Sequence, residues 1–456
     1  MHQLAMRPLA KHKMAKHKMA MHQLALALVL AAATGATALQ AQSSGRPNSG
    51  VGPSSQQPTA QQPVQGGAAG QTPGSGTAPV KGGLGKAGTG HFGFRLGYYD
   101  NGDSGDGNPF LDETLTVIEP VLFYDYNVSD STNIFLKFSY DNVSSASIER
   151  LSSYPSTQQS GATGDYYFGL DGGATWALDE DTRVSAFAHA SAEYDYRSFG
   201  LGGSYAKDYD GDSTTLKFSG SAYFDTLDII RFDGDASEGS DNRTALNLAG
   251  NWYQVMTPRM HAEMGVNLTL QSGFLETPYN GVVAENGSFT PEQYLASTSL
   301  QTDRSPTGVT GFEELPSSRA RLGLHGRVRR MYGESTALEL GGRLYGDDWG
   351  VTSFTLEPAA YFWLAPNTVR ARVGYRFYTQ TAADDYQARF TGANAAALPE
   401  FRTQDADLGD FSSHTLGFRL DWFTASASRW DLTFDYTTRD DGLDYMFGSI
   451  GWSTSF

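Results

Sequence analysis

From residue 91 onward, apolar and polar residues alternate along the chain in segments of roughly ten residues. Segment 318–329 shows the pattern well, because its even positions are mostly apolar and its odd positions are mostly charged. Strict alternation predicts β-strands with one apolar face, and this length suits strands that cross a bilayer at a tilt.

The alternation predicts sixteen strands. Their approximate bounds are 91–100, 115–125, 132–141, 165–176, 183–194, 197–206, 213–224, 243–254, 259–271, 318–329, 335–346, 351–363, 368–379, 412–422, 429–438 and 443–456. In strand 351–363, Pro358 lacks a ladder donor, which predicts a local bulge or gap.

The connections fall into two classes. Every even connection is short, such as APN at 365–367, and the long ones are all odd, such as 272–317. Outer-membrane barrels have short periplasmic turns and long outer loops. The sequence therefore predicts an all-β fold, a transmembrane antiparallel up-and-down barrel of sixteen strands, with fourteen or eighteen as alternative counts. A soluble β-sandwich also alternates, but it has no need of a two-class loop pattern.

The chain divides into three regions. Residues 1–41 have a basic start and a short Ala-rich apolar run, which predicts a signal peptide, with a membrane anchor as the alternative. Residues 42–88 are rich in Gln, Ser, Gly and Pro, which predicts a disordered periplasmic segment, either an inert tail or a tether. Residues 89–456 would form the barrel, and an even strand count places both termini in the periplasm.

Composition narrows the function classes. The formal net charge of −17 argues against nucleic acid as a partner. The absence of Cys excludes disulfides and thiolate chemistry. Large sixteen-stranded barrels leave room for a water-filled lumen.

The polar faces predict what lines that lumen. Arginine near the bilayer midplane costs about 2–4 kcal/mol, so the charged face must point inward. The predicted lumenal basic sector is Arg319, Arg321, Arg327, Arg329, Arg343, Arg370, Arg372, Arg376 and Arg419. The predicted lumenal acids beside it are Glu339, Glu357 and Asp421. The arginines either attract anions or pair with these acids and stiffen the wall, and both roles can coexist.

Signals for other chemistry are weak. The acidic cluster at 208–212 lacks the later Glu of a calcium loop, so turn chemistry explains it better. His189, His261 and His325 are predicted on separate strands, too far apart for a metal site. The sequence predicts no enzyme, no metal and no cofactor.

Six stretches, in order along the chain, resemble a Gram-negative family of outer-membrane β-barrels of unknown function. They are SSASIE (144–149), EYDYRS (193–198), KDYDGDSTTL (207–216), LPSSRARLGLHGR (315–327), YGDDWGVTSFTLEP (345–358) and YRFYTQTAADDY (375–386). The resemblance implies an outer-membrane barrel and no catalytic motif. The 272–317 loop either folds into the lumen or stays free outside.

The last strand carries a candidate assembly signal. Gly448, Ile450, Trp452 and Phe456 share the parity expected to face lipid, and Thr454 departs from the usual apolar residue. The pattern resembles the C-terminal signature that the barrel-assembly machinery recognises.

Two hypotheses follow for function. The first is an outer-membrane channel for solutes or polymer that favours anions, possibly as the pore of a polysaccharide export system with a periplasmic partner. The second is a plugged barrel that anchors a periplasmic partner through residues 42–88. Expected partners are outer-membrane lipid and lipopolysaccharide and the barrel-assembly machinery.

Overall fold

A computed structural model describes residues 84–103, 115–143, 165–211, 213–231, 236–278, 280–285, 308–391, 397–424 and 427–456. The predicted signal peptide, most of the 42–88 segment and the SSASIE stretch lie outside these residues. None of the described segments is a helix long and apolar enough to cross a membrane.

The wall of the molecule is one closed antiparallel barrel of sixteen strands, as the alternation predicted. The strands are β1 (Gly90–Asp103), β2 (Leu115–Ser129), β3 (Thr132–Val143), β4 (Asp165–Ala177), β5 (Thr182–Ala192), β6 (Tyr196–Tyr209), β7 (Thr214–Asp228), β8 (Ser240–Thr257), β9 (Met260–Gly273), β12 (Ser318–Tyr332), β13 (Thr336–Asp347), β14 (Thr352–Ala365), β15 (Val369–Gln380), β17 (Phe411–Phe423), β18 (Ser428–Arg439) and β19 (Leu443–Ser455). β1 pairs with β19, so the wall has no free edge.

Three further strands were not predicted. β10 (Gly281–Glu285) and β11 (Gly308–Phe312) form a hairpin inside the connection between β9 and β12. β16 (Phe390–Thr391), from the connection between β15 and β17, pairs in parallel with β10. A 3-10 helix at Ala406–Leu408 follows. We call this sheet, with the described parts of the two connections, the cap.

The two ends of the barrel differ. At one end of the barrel the connections are short, and we call this end the short-turn end. The turn between β6 and β7 needs positive φ at Asp210 and Gly211, which explains the Asp-Gly in the predicted turn. The connections with the cap leave from the opposite end, here called the long-loop end.

Proline interrupts the ladder as expected. In the pairing of β14 with β15, the register continues from Leu356 to Ala359 with no paired residues between them. Pro358 therefore leaves a gap in the ladder, and the only register shift in this pair lies at Trp363 and Ala365.

Candidate functional site

The outer surface of the barrel is an apolar belt. Exposed side chains alternate with inward ones on each strand, and Leu324 is 48% exposed in the middle of β12. Trp422, Trp430 and Trp452 lie side by side across β17, β18 and β19 near the short-turn end. Such a belt with an aromatic edge is the surface of a barrel embedded in a bilayer.

The inner wall is polar and its charge is unevenly distributed. Strands β12–β15 carry far more inward arginine than inward carboxylate. The arginines are Arg319, Arg321, Arg327, Arg329, Arg343, Arg370, Arg372 and Arg376, and the carboxylates are Glu339, Asp347 and Glu357.

Near the short-turn end, arginines and aspartates form a ladder across the wall. Asp421 accepts from Arg370 Nη2 at 2.8 Å and from Arg419 Nε at 3.0 Å. Asp431 on the next strand lies 3.6 Å from Arg419 and 3.3 Å from Arg429. Each of these arginines has an aspartate partner, and the hydrogen-bonded network stiffens this part of the wall.

A second paired group lies on β12, β13 and β14. Arg329 Nε donates to Glu339 Oε2 at 2.7 Å, and Arg329 Nη2 donates to Tyr361 Oη at 2.8 Å. The same Tyr361 hydroxyl accepts from Arg372 Nε at 3.2 Å and donates to Glu339. Nearer the middle of the wall, Arg376 lies 3.3 Å from Glu357.

Three of the predicted arginines have no carboxylate partner. Among the described residues, no carboxylate oxygen lies within 4.0 Å of Arg321, Arg343 or Arg372. Arg327 makes a long ion pair with Glu263, with 3.5 Å between Nη1 and Oε1. The basic sector thus keeps net positive charge after its ion pairs are counted.

Carboxylates line the wall across the lumen from this sector. In a closed ring, β2, β3 and β4 lie half-way around from β12, β13 and β14. Glu119, Asp141 and Asp171 point inward from these strands. His189 Nδ1 lies 2.8 Å from Asp171, so this histidine pairs with a carboxylate rather than joining a metal site. Within the described ranges, no group of three or more His, Asp or Glu side chains is arranged to hold a metal ion.

At the long-loop end, Asp347 organises the predicted YGDDWG stretch. Its carboxylate accepts from the backbone N–H groups of Trp349 and Val351, at 3.1 and 2.9 Å. It also accepts from Arg319 Nε at 3.0 Å and from Tyr345 Oη at 2.7 Å. Asp347 was not among the predicted site residues, although its place in a recognised motif was an available signal.

Trp349, in the same turn, packs against the cap. Its indole N–H donates to the Ser318 carbonyl at 2.8 Å. Its ring is buried in a cluster with Leu275, Leu315 and Leu408 of the two capping connections. Ala383 belongs to the same cluster, so three of the recognised motifs, at 315–327, 345–358 and 375–386, meet where the cap joins the wall.

The cap is also fixed to the rim at a second strand, β18. Arg439, at the end of β18, lies 3.6 Å from the centroid of the Phe411 ring. It donates to Asp407 Oδ1 at 2.5 Å and to the Ala406 carbonyl at 3.1 Å. This buried contact ties the 3-10 helix to the rim.

Buried carboxyl groups lie inside the cap. Glu313 accepts from Thr277 N at 2.7 Å and from Thr403 Oγ1 at 2.5 Å, and so bridges the two capping connections. Burial raises the pKa of Glu313, and the charge of nearby Asp405 raises it further. Burial likewise raises the pKa of Asp405 and, less deep in the cap, raises the pKa of Glu276 to about 7.

A small cavity separates the cap from the inner wall. Gln271, Arg319 and Arg321 line it from the wall, and Leu275, Glu313 and Asp405 line it from the cap. The described ends of the 272–317 loop therefore fold over inward-facing residues of the lumen.

The predicted assembly signal occupies β19. Gly448 and Ile450 face outward, with Ile450 exposed, and Trp452 contacts Trp430 with 6.3 Å between ring centroids. β19 ends at Ser455, directly before Phe456.

Comparison with known proteins gives one sequence match. A family described as "Protein of unknown function (DUF3570)" matches residues 165–451. No curated protein matches the sequence significantly.

Several solved structures match this chain at low sequence identity. A bacterial polysaccharide outer membrane secretin has 10% identity and a TM-score of 0.44, over 80% of this chain and 98% of that one. OccAB3 of Acinetobacter baumannii has 11% identity and a TM-score of 0.39, over 81% and 99%. The CymD monoaromatic hydrocarbon channel has 9% identity and a TM-score of 0.37, over 81% and 89%. The family assignment therefore rests on the sequence match.

Proposed function

The chain belongs to the DUF3570 family of proteins of unknown function, and we propose that it forms an anion-favouring channel across the outer membrane. The closed wall, the apolar belt and the charged lumen support this function. In this proposal the short-turn end faces the periplasm, and the cap faces outward.

The observation that carries the proposal is the unpaired charge on one side of the lumen. Arg343 and Arg372 have no carboxylate within ion-pair distance among the described residues. At an effective dielectric of about 20, a guanidinium roughly 10 Å from a permeating anion stabilises it by about 1–2 kcal/mol. The carboxylates on the opposite wall create a field across the lumen that orients a dipolar or acidic solute.

Planar-bilayer recording tests the ion preference. The reversal potential of the wild-type protein in a salt gradient should indicate a preference for anions. The double variant with Arg343→Gln and Arg372→Gln should reduce the ratio of anion to cation permeability severalfold. Arg330→Gln is the matched control, because Arg330 is exposed on the outer face of β12 near the short-turn end. Cation preference in the wild type, or an equal effect of the control, would contradict the proposal.

The finer form of the proposal is export of an acidic polysaccharide. The basic sector suits a polyanion, and a 42–88 tether suits docking to a periplasmic export machine. A strain lacking the gene should keep acidic polysaccharide inside the cell and lose it from the surface. Unchanged surface carbohydrate would exclude the export role while leaving the channel intact.

The cap favours a second candidate, a plugged barrel that anchors a periplasmic partner. The described ends of both capping connections cover inward-facing residues. Replacing residues 274–317 with a short Gly-Ser linker distinguishes the two candidates. A wild-type barrel that is silent and opens only after this deletion would support the plug, whereas similar conductance before and after would support the channel.

A further inference from the structure

The two arginines that carry the proposed ion preference each lie over a glycine of the inner wall. The guanidinium of Arg343, on β13, leans across to Gly323 on β12, although the residue paired with Arg343 on that strand is His325. The guanidinium of Arg372, on β15, covers Gly374 of the same strand. Both glycines are buried, whereas both arginines are half-buried. The two arginine side chains therefore lie against the wall of the lumen.

These contacts leave no room for a side chain at either glycine unless the guanidinium moves. A Cβ atom added at Gly374 would lie 2.8 Å from Nη1 of Arg372 and 3.1 Å from its Cζ and Nη2. A Cβ atom added at Gly323 would lie 3.0 Å from Nη2 of Arg343 and 3.3 Å from its Nε. Non-bonded heavy atoms attract one another best at about 3.5–4.0 Å. Each guanidinium thus occupies the space that a side chain would take.

The backbone gives no separate reason for glycine at these two positions. Neither Gly323 nor Gly374 has a positive φ. Glycine inside a strand is unfavourable, because it loses much conformational entropy on folding and offers no side chain to pack. It often marks a place where another group comes close to the backbone. At both positions the group that comes close is a guanidinium.

The position of Arg372 is fixed from two sides. Its Nε donates to the hydroxyl of Tyr361, the residue paired with it on β14, at 3.2 Å. On the other side, Gly374 pairs with Gly417 of β17, where an added Cβ would lie 3.9 Å from Nη1 of Arg372. The guanidinium therefore lies between a tyrosine and a stretch of wall without side chains.

A third glycine of the inner wall provides a contrast. Gly341, on β13, is also buried and has the same inward parity as Arg343. A Cβ atom added there would lie 3.5 Å from the nearest atom, a carboxylate oxygen of Glu357. That distance is an ordinary van der Waals contact. An alanine at position 341 therefore adds a methyl group to the wall without displacing a charge.

We propose that Gly323 and Gly374 are positioning residues for ion permeation, which hold the guanidinium groups of Arg343 and Arg372 against the wall. The proposal rests on the proposed channel function and adds the residues that set the distance between each charge and the ion path. A methyl group at either glycine pushes the guanidinium toward the axis, because the guanidinium lies on the lumen side of the glycine. The lumen then narrows, and the charge acts on a permeating ion from a shorter distance.

Single-channel recording of the full-length Gly374→Ala protein tests the proposal. Its conductance should fall, and its ratio of anion to cation permeability should rise about twofold. The rise follows because a charge that moves about 1 Å closer, from roughly 10 Å, attracts anions and repels cations more strongly. Gly323→Ala should act in the same direction but less, since its contacts are longer, and it tests the second position independently. Gly341→Ala is the matched control and should leave the permeability ratio unchanged.

A double variant separates positioning from a general effect on the wall. In an Arg372→Gln background, Gly374→Ala should no longer change the permeability ratio, because the charge that it displaces is absent. An unchanged or lowered ratio in both single glycine variants, or the same rise in the Arg372→Gln background, would overturn the proposal. The ion preference of the wild type tests the channel function itself, so failure of the positioning role and failure of the channel proposal are separate outcomes.

Discussion

The guanidinium of Arg319 lies over the indole ring of Trp349, with 4.1 Å between its central carbon and the ring centroid. The same guanidinium donates to Asp347, and the same indole donates to the Ser318 carbonyl. One strand end, one tight turn and the cap are therefore held by a single pair of side chains.

We expect Asp347→Ala to loosen the cap, since removing one partner of a buried ion pair costs about 3–5 kcal/mol. The side chains of Arg319 and Asp347 are almost completely buried. Limited proteolysis of the cap and thermal unfolding measure the loss. Asp410→Ala is the control, because Asp410 is exposed and its replacement changes the charge by the same amount. Equal effects of the two substitutions would contradict the role of Asp347.

The cap should open more readily as pH rises. Glu276 has a folded-state pKa raised from 4.5 to about 7, because burial disfavours its charged form. A carboxyl group with a raised pKa stabilises the folded state fully below its unfolded pKa, and this contribution is lost as pH rises toward the folded value. Glu313 and Asp405 are shifted in the same direction.

Exchange of cap amides, corrected for intrinsic rates, should therefore be faster at pH 8 than at pH 5. Glu276→Gln combined with Glu313→Gln should flatten this dependence. Glu400→Gln changes an exposed residue of the same cap and should leave the dependence intact. A pH profile that runs in the opposite direction would refute the assignment.

The two faces of β12 should tolerate charge very differently. Leu324→Arg places a guanidinium in the lipid-facing belt and should cost about 2–4 kcal/mol near the midplane. His325→Arg, one position away, places the same group in the lumen and should fold normally. Folding yield into lipid vesicles distinguishes them, and equal yields would refute the assignment of the faces.

Gly350 should resist replacement for two reasons. Its φ is +90°, and an added Cβ would collide with the Asp384 carboxylate. Gly333 has φ +66° in a short turn, where an added Cβ meets nothing within 4 Å. Gly350→Ala should therefore lower thermal stability by more than Gly333→Ala, which pays only a backbone cost of about 1–3 kcal/mol. Similar losses of thermal stability in the two variants would show that the Asp384 side chain moves aside at little cost.

The strands of the wall were predictable because lipid and water impose a strict two-residue alternation on each of them. The strands of the cap were not predictable, because β10 and β16 are too short to show an alternating pattern. They also pair across more than one hundred residues of sequence, and a local pattern cannot indicate so distant a partner. Asp347 and Glu313 were missed for a related reason. Their importance comes from partners such as Arg319 and Thr403, which only the folded chain brings to them.

The junction of β1 with β19 has a consequence for how the wall assembles. Every other junction joins wall strands that are consecutive along the chain, and this one joins the first wall strand to the last. A slip of one residue in any hairpin would be carried around the ring and would appear as a mismatch at the final seam. The register of β1 with β19 therefore depends on the pairing of all the other strands in the wall.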